Sequence, residues 1–166
     1  VKLLDVTGPL QVFQDANTFL GRTAYSTPIA SYYGGPVETD AGVLLNTRRL
    51  AGIGLDEDDT LMIAGGAGVF PACRDARLVQ AIQKSAEKSG RIASTCTGAF
   101  LLGAAGLLEG KRAVTHWRHC ERLAEDCPGT EVDPDPIFVE DGRVWTSAGV
   151  TAGIDLALAM VERDHG

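Results

Sequence analysis

Short apolar strands that alternate with amphipathic helices constrain the fold of this sequence more than any other feature. Residues 60–64 form a continuous apolar run that stops at Gly65 and Gly66, a pattern typical of a strand buried on both faces of a sheet. Apolar side chains then recur at helical spacing over residues 74–88, and residues 91–95 form the next short strand pattern. This alternation predicts an α/β domain with a mainly parallel sheet and helices on both of its faces.

The rest of the chain fits the same architecture. Pro9 suits the first turn of a helix, where its missing amide needs no partner. Asp141 and Gly142, which lie between two apolar runs, predict a β-hairpin with a type I′ turn. The other predicted elements are strands at residues 24–33, 43–45 and 112–115, and a helix over residues 151–162 that buries Ile154, Leu158 and Val161.

The size and charge of the chain limit which classes of function it can have. A chain of 166 residues suits one domain, and its net charge of −7 excludes a surface for nucleic-acid phosphates, which requires many lysines and arginines. The longest apolar run, residues 99–108, is too short to cross a bilayer, and no secretory signal is recognisable. The four cysteines form neither a CxxC pair nor a dense disulfide pattern. These observations predict a cytoplasmic protein with reduced thiols, no membrane association and no cofactor.

Both ends of the chain are those expected of a piece of a longer polypeptide. The first residue is Val1 rather than Met, and the last helical pattern runs to Gly166 without a tail. A domain of this class is expected to open with a strand, and residues 1–4 are too few to complete one before Asp5. We therefore expect a hydrophobic strand immediately upstream, and we treat residues 1–166 as a single domain.

Residues 94–100, Ser-Thr-Cys-Thr-Gly-Ala-Phe, carry the strongest local signal of chemistry. A strand runs into Cys96 and small residues follow as a helix begins, which predicts a sharp strand-to-helix turn, or nucleophile elbow. Such a turn would expose the thiol at the positive end of the helix, lower its pKa and direct the Thr97 amide at an oxyanion beside the sulfur. The alternative is that Cys96 is a small buried hydrophobic residue, the interpretation that we favour for the other three cysteines.

Further side chains are expected on the same rim of the sheet. Gly65 and Gly66 end a buried strand, where consecutive amides can bind an anion, although a plain turn is equally compatible with the sequence. His116 follows a strand pattern as well. It could act with Cys96 as base and nucleophile, or it could simply cap a helix or lie in the core.

Two other groups give weaker signals. Asp5 could be a carboxylate that only stabilises the N-terminus of a helix. His116, His119 and Cys120 are close in sequence but lack a fourth ligand, so no metal site is predicted.

Several separated motifs resemble the ThiJ/PfpI superfamily, also called class I glutamine amidotransferase-like. The resemblance covers nearly the whole chain, and it implies a flavodoxin-like three-layer sandwich with a nucleophile elbow and a homodimer. The motifs are residues 3–9 (Leu-Leu-Asp-Val-Thr-Gly-Pro), 96–102 (Cys-Thr-Gly-Ala-Phe-Leu-Leu), 105–108 (Ala-Gly-Leu-Leu), 115–117 (Thr-His-Trp) and 146–155 (Thr-Ser-Ala-Gly-Val-Thr-Ala-Gly-Ile-Asp).

Residues 133–139, 145–149 and 164–166 resemble one branch of that superfamily, the N-terminal domains of AraC-type transcription regulators. This resemblance implies a ligand-sensing and dimerisation domain that binds a small molecule, with DNA bound only through helix-turn-helix units downstream. The alternative is an isonitrile hydratase-like enzyme, which adds water to an isonitrile to give an N-formamide, or a cysteine amidase. A reactive thiol would also suit a redox or carbonyl-stress sensor.

The resemblance assigns roles to individual residues. Cys96 matches the nucleophile, His116 matches the histidine 20 positions later, and Asp5 matches the acidic residue that contacts the sulfur. Gly66 and Thr97 match the amides around the nucleophile.

Overall fold

The computed structural model describes residues 1–166 as short strands that alternate with helices. No helix combines the length and the apolar composition that crossing a membrane requires. The α-helices are α1 (Leu3–Leu20), α2 (Val69–Ala72), α3 (Ala76–Ala86), α4 (Ala99–Ala104), α5 (Cys120–Asp126) and α6 (Ala152–His165). The strands are β1 (Ala30–Ser31), β2 (Gly35–Glu38), β3 (Leu44–Arg49), β4 (Thr60–Ile63), β5 (Arg91–Ser94), β6 (Arg112–Ala113), β7 (Glu131–Val132), β8 (Phe138–Asp141) and β9 (Val144–Ser147), and single 3₁₀ turns form at Leu50–Gly52, Cys96–Gly98 and Trp117–His119.

A four-stranded sheet carries the residues of greatest chemical interest. Its strand order is β4-β5-β9-β8, in which β4, β5 and β9 are parallel and β8 is antiparallel at one edge. The hairpin predicted at Asp141 and Gly142 is confirmed, since it joins β8 to β9. The predicted type I′ turn is wrong, because such a turn needs two central residues with positive φ and only Gly142, at +61°, has one. Strands β1, β2 and β3 form a second sheet, and β6 pairs with β7 in a third. The α/β class is confirmed and is consistent with a flavodoxin-like fold, although the expected single sheet is divided.

The larger hydrophobic core packs helices α3 and α4 against this sheet. Its fully buried members include Ile82 and Ala86 of α3 and Ile92 of β5. The helical spacing over residues 74–88 correctly predicted this face of α3. Because Ile92 belongs to the strand that runs into Cys96, the core fixes the strand end from which that residue projects.

Helices α1 and α6 pack on each other, and α6 contacts β8 and β9. Helix α1 runs through Pro9 instead of starting there, so the predicted start is wrong. The cause is a long-range contact, because the Leu3 amide donates to Asp40 Oδ1 at 2.9 Å and the helix is thereby capped from another part of the chain.

Helix α6 forms where it was predicted but buries a different face. Leu158 is 53% exposed, whereas Leu156, Ala157 and Met160 are buried. Gly153 explains the orientation, since its hydrogen faces Thr95 so closely that a Cβ there would lie 2.8 Å from Thr95 Cγ2. This contact turns the helix about its axis relative to the face that the apolar spacing indicated.

Four strand predictions differ from the structure, three in extent and one in burial. The pattern at residues 112–115 yields only β6. The pattern at residues 24–33 yields only β1, and the pattern at residues 43–45 marks the start of the longer β3. In β4 only Leu61 is fully buried, so the expectation of burial on both faces is wrong for the rest of that strand. The reason is that β4 pairs with β5 along one edge and has no strand neighbour along the other.

Candidate functional site

The chain turns sharply at Cys96, between strand β5 and helix α4. Cys96 has a φ of +53°, the one positive φ outside glycine, and such a conformation costs about 1–3 kcal/mol. Thr115 helps to hold it, because its hydroxyl donates to the Cys96 carbonyl oxygen at 2.8 Å. The 3₁₀ turn Cys96–Gly98 then leads directly into α4. One strained residue therefore connects the strand to the helix.

The Cys96 side chain is buried rather than displayed, with 4% of the residue exposed. Burial raises the pKa of the Cys96 thiol to about 11, the negative charge of Asp5 adds to the rise, and the Thr97 amide opposes it. The predictions of an exposed thiol and of a lowered pKa are therefore both wrong. Desolvation outweighs the dipole of a helix of six residues. A neutral resting thiol also weighs against a peroxide sensor, since the thiolate is the reactive form.

Asp5 reaches the same place from the first turn of α1. The residue is 1% exposed, its Oδ2 accepts the Gly65 amide at 3.1 Å, and its Oδ1 has no hydrogen-bond partner. Burial raises the pKa of Asp5 to about 6, against the opposing effects of the Gly65 amide and the Cys96 thiol. Because Asp5 and Cys96 shift the pKa of one another, they form a coupled acid–thiol pair.

The loop after β4 holds this pair in position. Gly65 donates its amide to Asp5, and the Gly66 amide donates to Thr97 Oγ1 at 2.8 Å. A Cβ at Gly65 would lie 2.6 Å from Asp5 Oδ2 and 2.7 Å from the Thr97 nitrogen, so the close approach requires glycine. A ligand-binding role for these two amides stays a prediction. Each already has a protein acceptor and orients a side chain of the site.

His116 lies on the neighbouring segment, directly after Thr115. Its Nδ1 accepts the Arg118 amide at 3.3 Å, so it caps the turn Trp117–His119. Burial and the adjacent positive charges lower the pKa of His116, which keeps the imidazole neutral at pH 7. No hydrogen bond joins His116 to Cys96, so its role as a base stays a prediction.

Lys2 and Asp40, which the sequence analysis missed, border the acid–thiol pair. The Lys2 amide donates to the Gly65 carbonyl oxygen at 3.0 Å, and its Nζ lies 3.0 Å from Asp40 Oδ2. The positive charge of Lys2 lowers the pKa of both Asp5 and Cys96. No local pattern marks either residue, because both reach the site through contacts that are distant in sequence.

An aromatic cluster extends from His116. The His119 ring centroid lies 5.7 Å from that of His116, 5.2 Å from that of Phe70 and 6.2 Å from that of Phe100. Trp117 stacks on His116 with ring centroids 5.7 Å apart, and it is largely exposed. Since Phe70 follows the glycine loop and Phe100 follows the Cys96 turn, this cluster gives the site an apolar flank.

The site therefore offers a thiol and a carboxyl group, and the neutral imidazole of His116 lies on the neighbouring segment. No group of three or more His, Cys, Asp or Glu side chains is placed to hold a metal ion. What the arrangement provides is a thiol that can act as a nucleophile and a buried carboxyl group that raises the pKa of that thiol.

Comparison with known proteins identifies the family. The model of the DJ-1/PfpI family matches residues 1–163, nearly the whole chain. The chain belongs to the DJ-1/PfpI family. Among its DJ-1/PfpI relatives, the isonitrile hydratase of Pseudomonas putida is 34% identical over 166 residues, which cover 98% of this chain and 67% of the enzyme.

Regulators are also similar to this DJ-1/PfpI chain. The HTH-type transcriptional regulator CdhR of Pseudomonas aeruginosa is 34% identical over 142 residues, which cover 86% of this chain and 41% of the regulator. The crystal structure of an AraC family transcriptional regulator from Pseudomonas putida superimposes with a TM-score of 0.81 at 25% identity, over 99% of this chain and 87% of that one. The motif resemblance to the ThiJ/PfpI superfamily is thus confirmed, and the chain spans less than half the length of CdhR.

Proposed function

We propose that this DJ-1/PfpI domain is the ligand-sensing and dimerisation part of an AraC-type transcription regulator. The similarity to CdhR and to the AraC family regulator of known structure supports this assignment. A net charge of −7 disfavours the binding of nucleic-acid phosphates by this domain. DNA would therefore be contacted by helix-turn-helix units encoded downstream of residue 166.

The observation that carries the proposal is the buried Asp5–Cys96 pair, in which Asp5 Oδ1 lacks a hydrogen-bond partner. A buried polar atom without a partner costs about 1–3 kcal/mol, and the strained backbone at Cys96 adds a second cost at the same point. Proteins retain such unfavourable free energies at sites where a bound ligand supplies the missing hydrogen bond. The pair therefore favours a ligand site, with Cys96 on a nucleophile elbow, over a purely structural carboxyl group.

The ligand would be a small polar metabolite seated beside Cys96 and His116, against the loop of Gly65 and Gly66. Because both glycine amides are already bonded, its polar contacts would be made by side chains. A donor group of the ligand would meet Asp5 Oδ1, and a polarised carbon would face the thiol.

Thermal-shift screening tests the ligand site, because a molecule that binds only the native state raises the melting temperature. We expect a member of a library of small polar metabolites to raise the Tm of the wild type, and Asp5→Asn and Cys96→Ser to lose that shift. Cys73→Ser is the matched control and should keep it, since Cys73 packs against the larger core instead. Equal shifts in all four proteins would place the ligand elsewhere and contradict the proposal.

The proposal extends to assembly and location. Two copies of the domain would associate in the cytoplasm, where its four free thiols would stay reduced. Sedimentation equilibrium at micromolar concentration should give the mass of a dimer. A monomer across the accessible concentration range would remove dimerisation from the proposed role.

A second candidate function is catalysis of the isonitrile hydratase or amidase type, favoured by the 34% identity to the hydratase over nearly the whole chain. In the hydratase-like reaction the Cys96 sulfur would add to the terminal isonitrile carbon, while its proton passes to that carbon by way of Asp5. Water, deprotonated by His116 or Asp5, would add to the resulting thioimidate. Loss of the sulfur as a thiol would then leave an N-formamide.

Incubation with cyclohexyl isonitrile distinguishes this candidate from a sensor. Formamide production by the wild type that disappears in Cys96→Ser would establish the enzyme. A wild type that turns over no isonitrile, nitrile or amide would leave the sensor as the better account.

A further inference from the structure

Lys2 lies at the boundary between the Cys96 site and solvent, and the proposed function leaves it without a role. Its amide donates to the Gly65 carbonyl oxygen at 3.0 Å, and Gly65 in turn donates to Asp5. The backbones are in contact here, since a Cβ at Gly66 would lie 2.7 Å from the Lys2 nitrogen. Lys2 is therefore fastened to the same loop that holds the carboxyl group of the acid–thiol pair.

The Lys2 side chain, by contrast, is held by one exchangeable contact. Its Nζ lies 3.0 Å from Asp40 Oδ2, and the two side chains are 39% and 48% exposed. Ion pairs exposed to this extent add little stability and exchange readily with other ions. Asp40 has a second partner, because its Oδ1 accepts the Leu3 amide at 2.9 Å. Release of Lys2 would leave Asp40 in place as the cap of α1.

Lys2 also supplies the positive charge that all three chemical groups of the site share. Its charge lowers the pKa of Asp5, Cys96 and His116. Lys2 therefore places a positive charge beside the site, although the chain as a whole has a net charge of −7. Positive charge beside a partly desolvated site attracts anions and raises their local concentration.

We propose that Lys2 is a ligand-binding residue of the Cys96 site, and that it takes the carboxylate of a small molecule in place of Asp40. The inference rests on the proposed function, because it requires that a small molecule reaches Cys96. It narrows the ligand to a carboxylate-bearing molecule. Its carboxylate would lie at Lys2 Nζ while the rest of the molecule extends toward Asp5 and the thiol.

Two alkylating reagents of nearly equal size test this directly. Iodoacetate and iodoacetamide both transfer a carbon to the thiolate with loss of iodide, and they differ in whether that carbon carries a carboxylate or a neutral amide. The rate ratio at Cys96, measured peptide by peptide with mass spectrometry on the native chain, cancels any change in the thiolate fraction. The ratio at Cys73 in the same sample is an internal reference.

Three variants give the expected pattern. Lys2→Met should lower the iodoacetate-to-iodoacetamide ratio at Cys96 about five-fold at low ionic strength, while Lys2→Arg should preserve it. Asp40→Asn should raise the ratio, because it frees the Lys2 ammonium. Lys111→Met is the matched control, since Lys111 forms a similar exposed ion pair with Asp141 at 3.3 Å, and it should leave the ratio unchanged.

The contrary outcomes separate the two proposals. An equal ratio in the wild type and Lys2→Met would overturn the role of Lys2 and leave the ligand site standing. Failure of both reagents to label Cys96 in the native wild type at pH 10, where a thiol with a pKa of about 11 is about one-tenth ionised, would show that small molecules do not reach the thiol. That result would overturn the ligand site and this inference together.

Discussion

Asp5 and Cys96 each lie in an environment that neither meets in an unfolded chain. Desolvation favours the protonated form of both groups. The charge of Asp5 makes ionisation of Cys96 harder, whereas the Cys96 thiol makes ionisation of Asp5 easier. At neutral pH the thiol therefore keeps its proton, and the carboxyl group, with a pKa of about 6, is the member that titrates near physiological conditions. A ligand that stabilises one protonation state of Asp5 would therefore shift the fraction of the chain in which Asp5 is charged.

Replacement of Asp5 by Asn should change how stability depends on pH. The native pKa of Asp5 is raised from 3.8 to about 6, so between those values the native chain holds a proton that the unfolded chain has released. The free energy of unfolding of the wild type should therefore fall by about 2 kcal/mol relative to Asp5→Asn as the pH rises from 4 to 7. Urea unfolding at several pH values measures this difference. A constant difference across that range would show that Asp5 is not desolvated.

At this scale the sequence identified Cys96, Asp5 and His116, because a strand-to-helix motif and a family resemblance mark them. It could not show that the thiol is buried, since burial depends on how α1 and the loop of Gly65 close over it. Lys2 carries no sequence signal, because its place in the site depends on a tertiary hydrogen bond to that loop.

At the scale of elements, glycine sets how closely α1 and α6 approach their neighbours. A Cβ at Gly8 would lie 2.9 Å from Ile154 Cγ1, and one at Gly153 would lie 2.8 Å from Thr95 Cγ2. Apolar spacing along α6 predicted that the helix exists but not its buried face, because periodicity does not record where a neighbouring backbone comes close. The hairpin of β8 and β9 was predictable, since its turn chemistry is local.

Gly153→Ala tests this packing. The added methyl group would press on Thr95, which precedes Cys96, and on Pro9 of α1, so we expect a loss of about 1–2 kcal/mol despite the better helix propensity of alanine. Gly149→Ala is the control, because a Cβ there meets open space. Chemical denaturation measures both. Equal stability of the two variants would show that α6 can move away from β5 without cost.

At the scale of the whole molecule, the free edge of β4 is the least complete part of the fold. The Lys2 amide donates to the Gly65 carbonyl oxygen just beyond that strand, and the Asp40 amide donates to the Val1 carbonyl oxygen at 2.9 Å. We propose that a hydrophobic strand upstream of Val1 runs parallel to β4 along this edge. It would cover the half-buried side chains of β4 and connect its sheet with the sheet of β1, β2 and β3.

Extension of the chain by the preceding residues of its reading frame tests that arrangement. The longer protein should have a higher Tm, and the amides of β4 should exchange with deuterium more slowly, because they would lie inside a sheet. A control extension of equal length, with alternate residues changed to lysine, should give neither effect. Equal exchange in the two extended chains would show that the edge of β4 stays open.

The pH dependence of Cys96 alkylation by iodoacetamide, compared in the wild type and Asp5→Asn, is the measurement closest to the coupled acid–thiol pair. In the wild type the rate should still be rising at pH 10, since the thiol has a pKa of about 11, and in Asp5→Asn the same rise should occur at lower pH because a negative charge has been removed. Superimposable profiles, or a wild-type rate that reaches its plateau below pH 9, would contradict the coupling of Asp5 and Cys96.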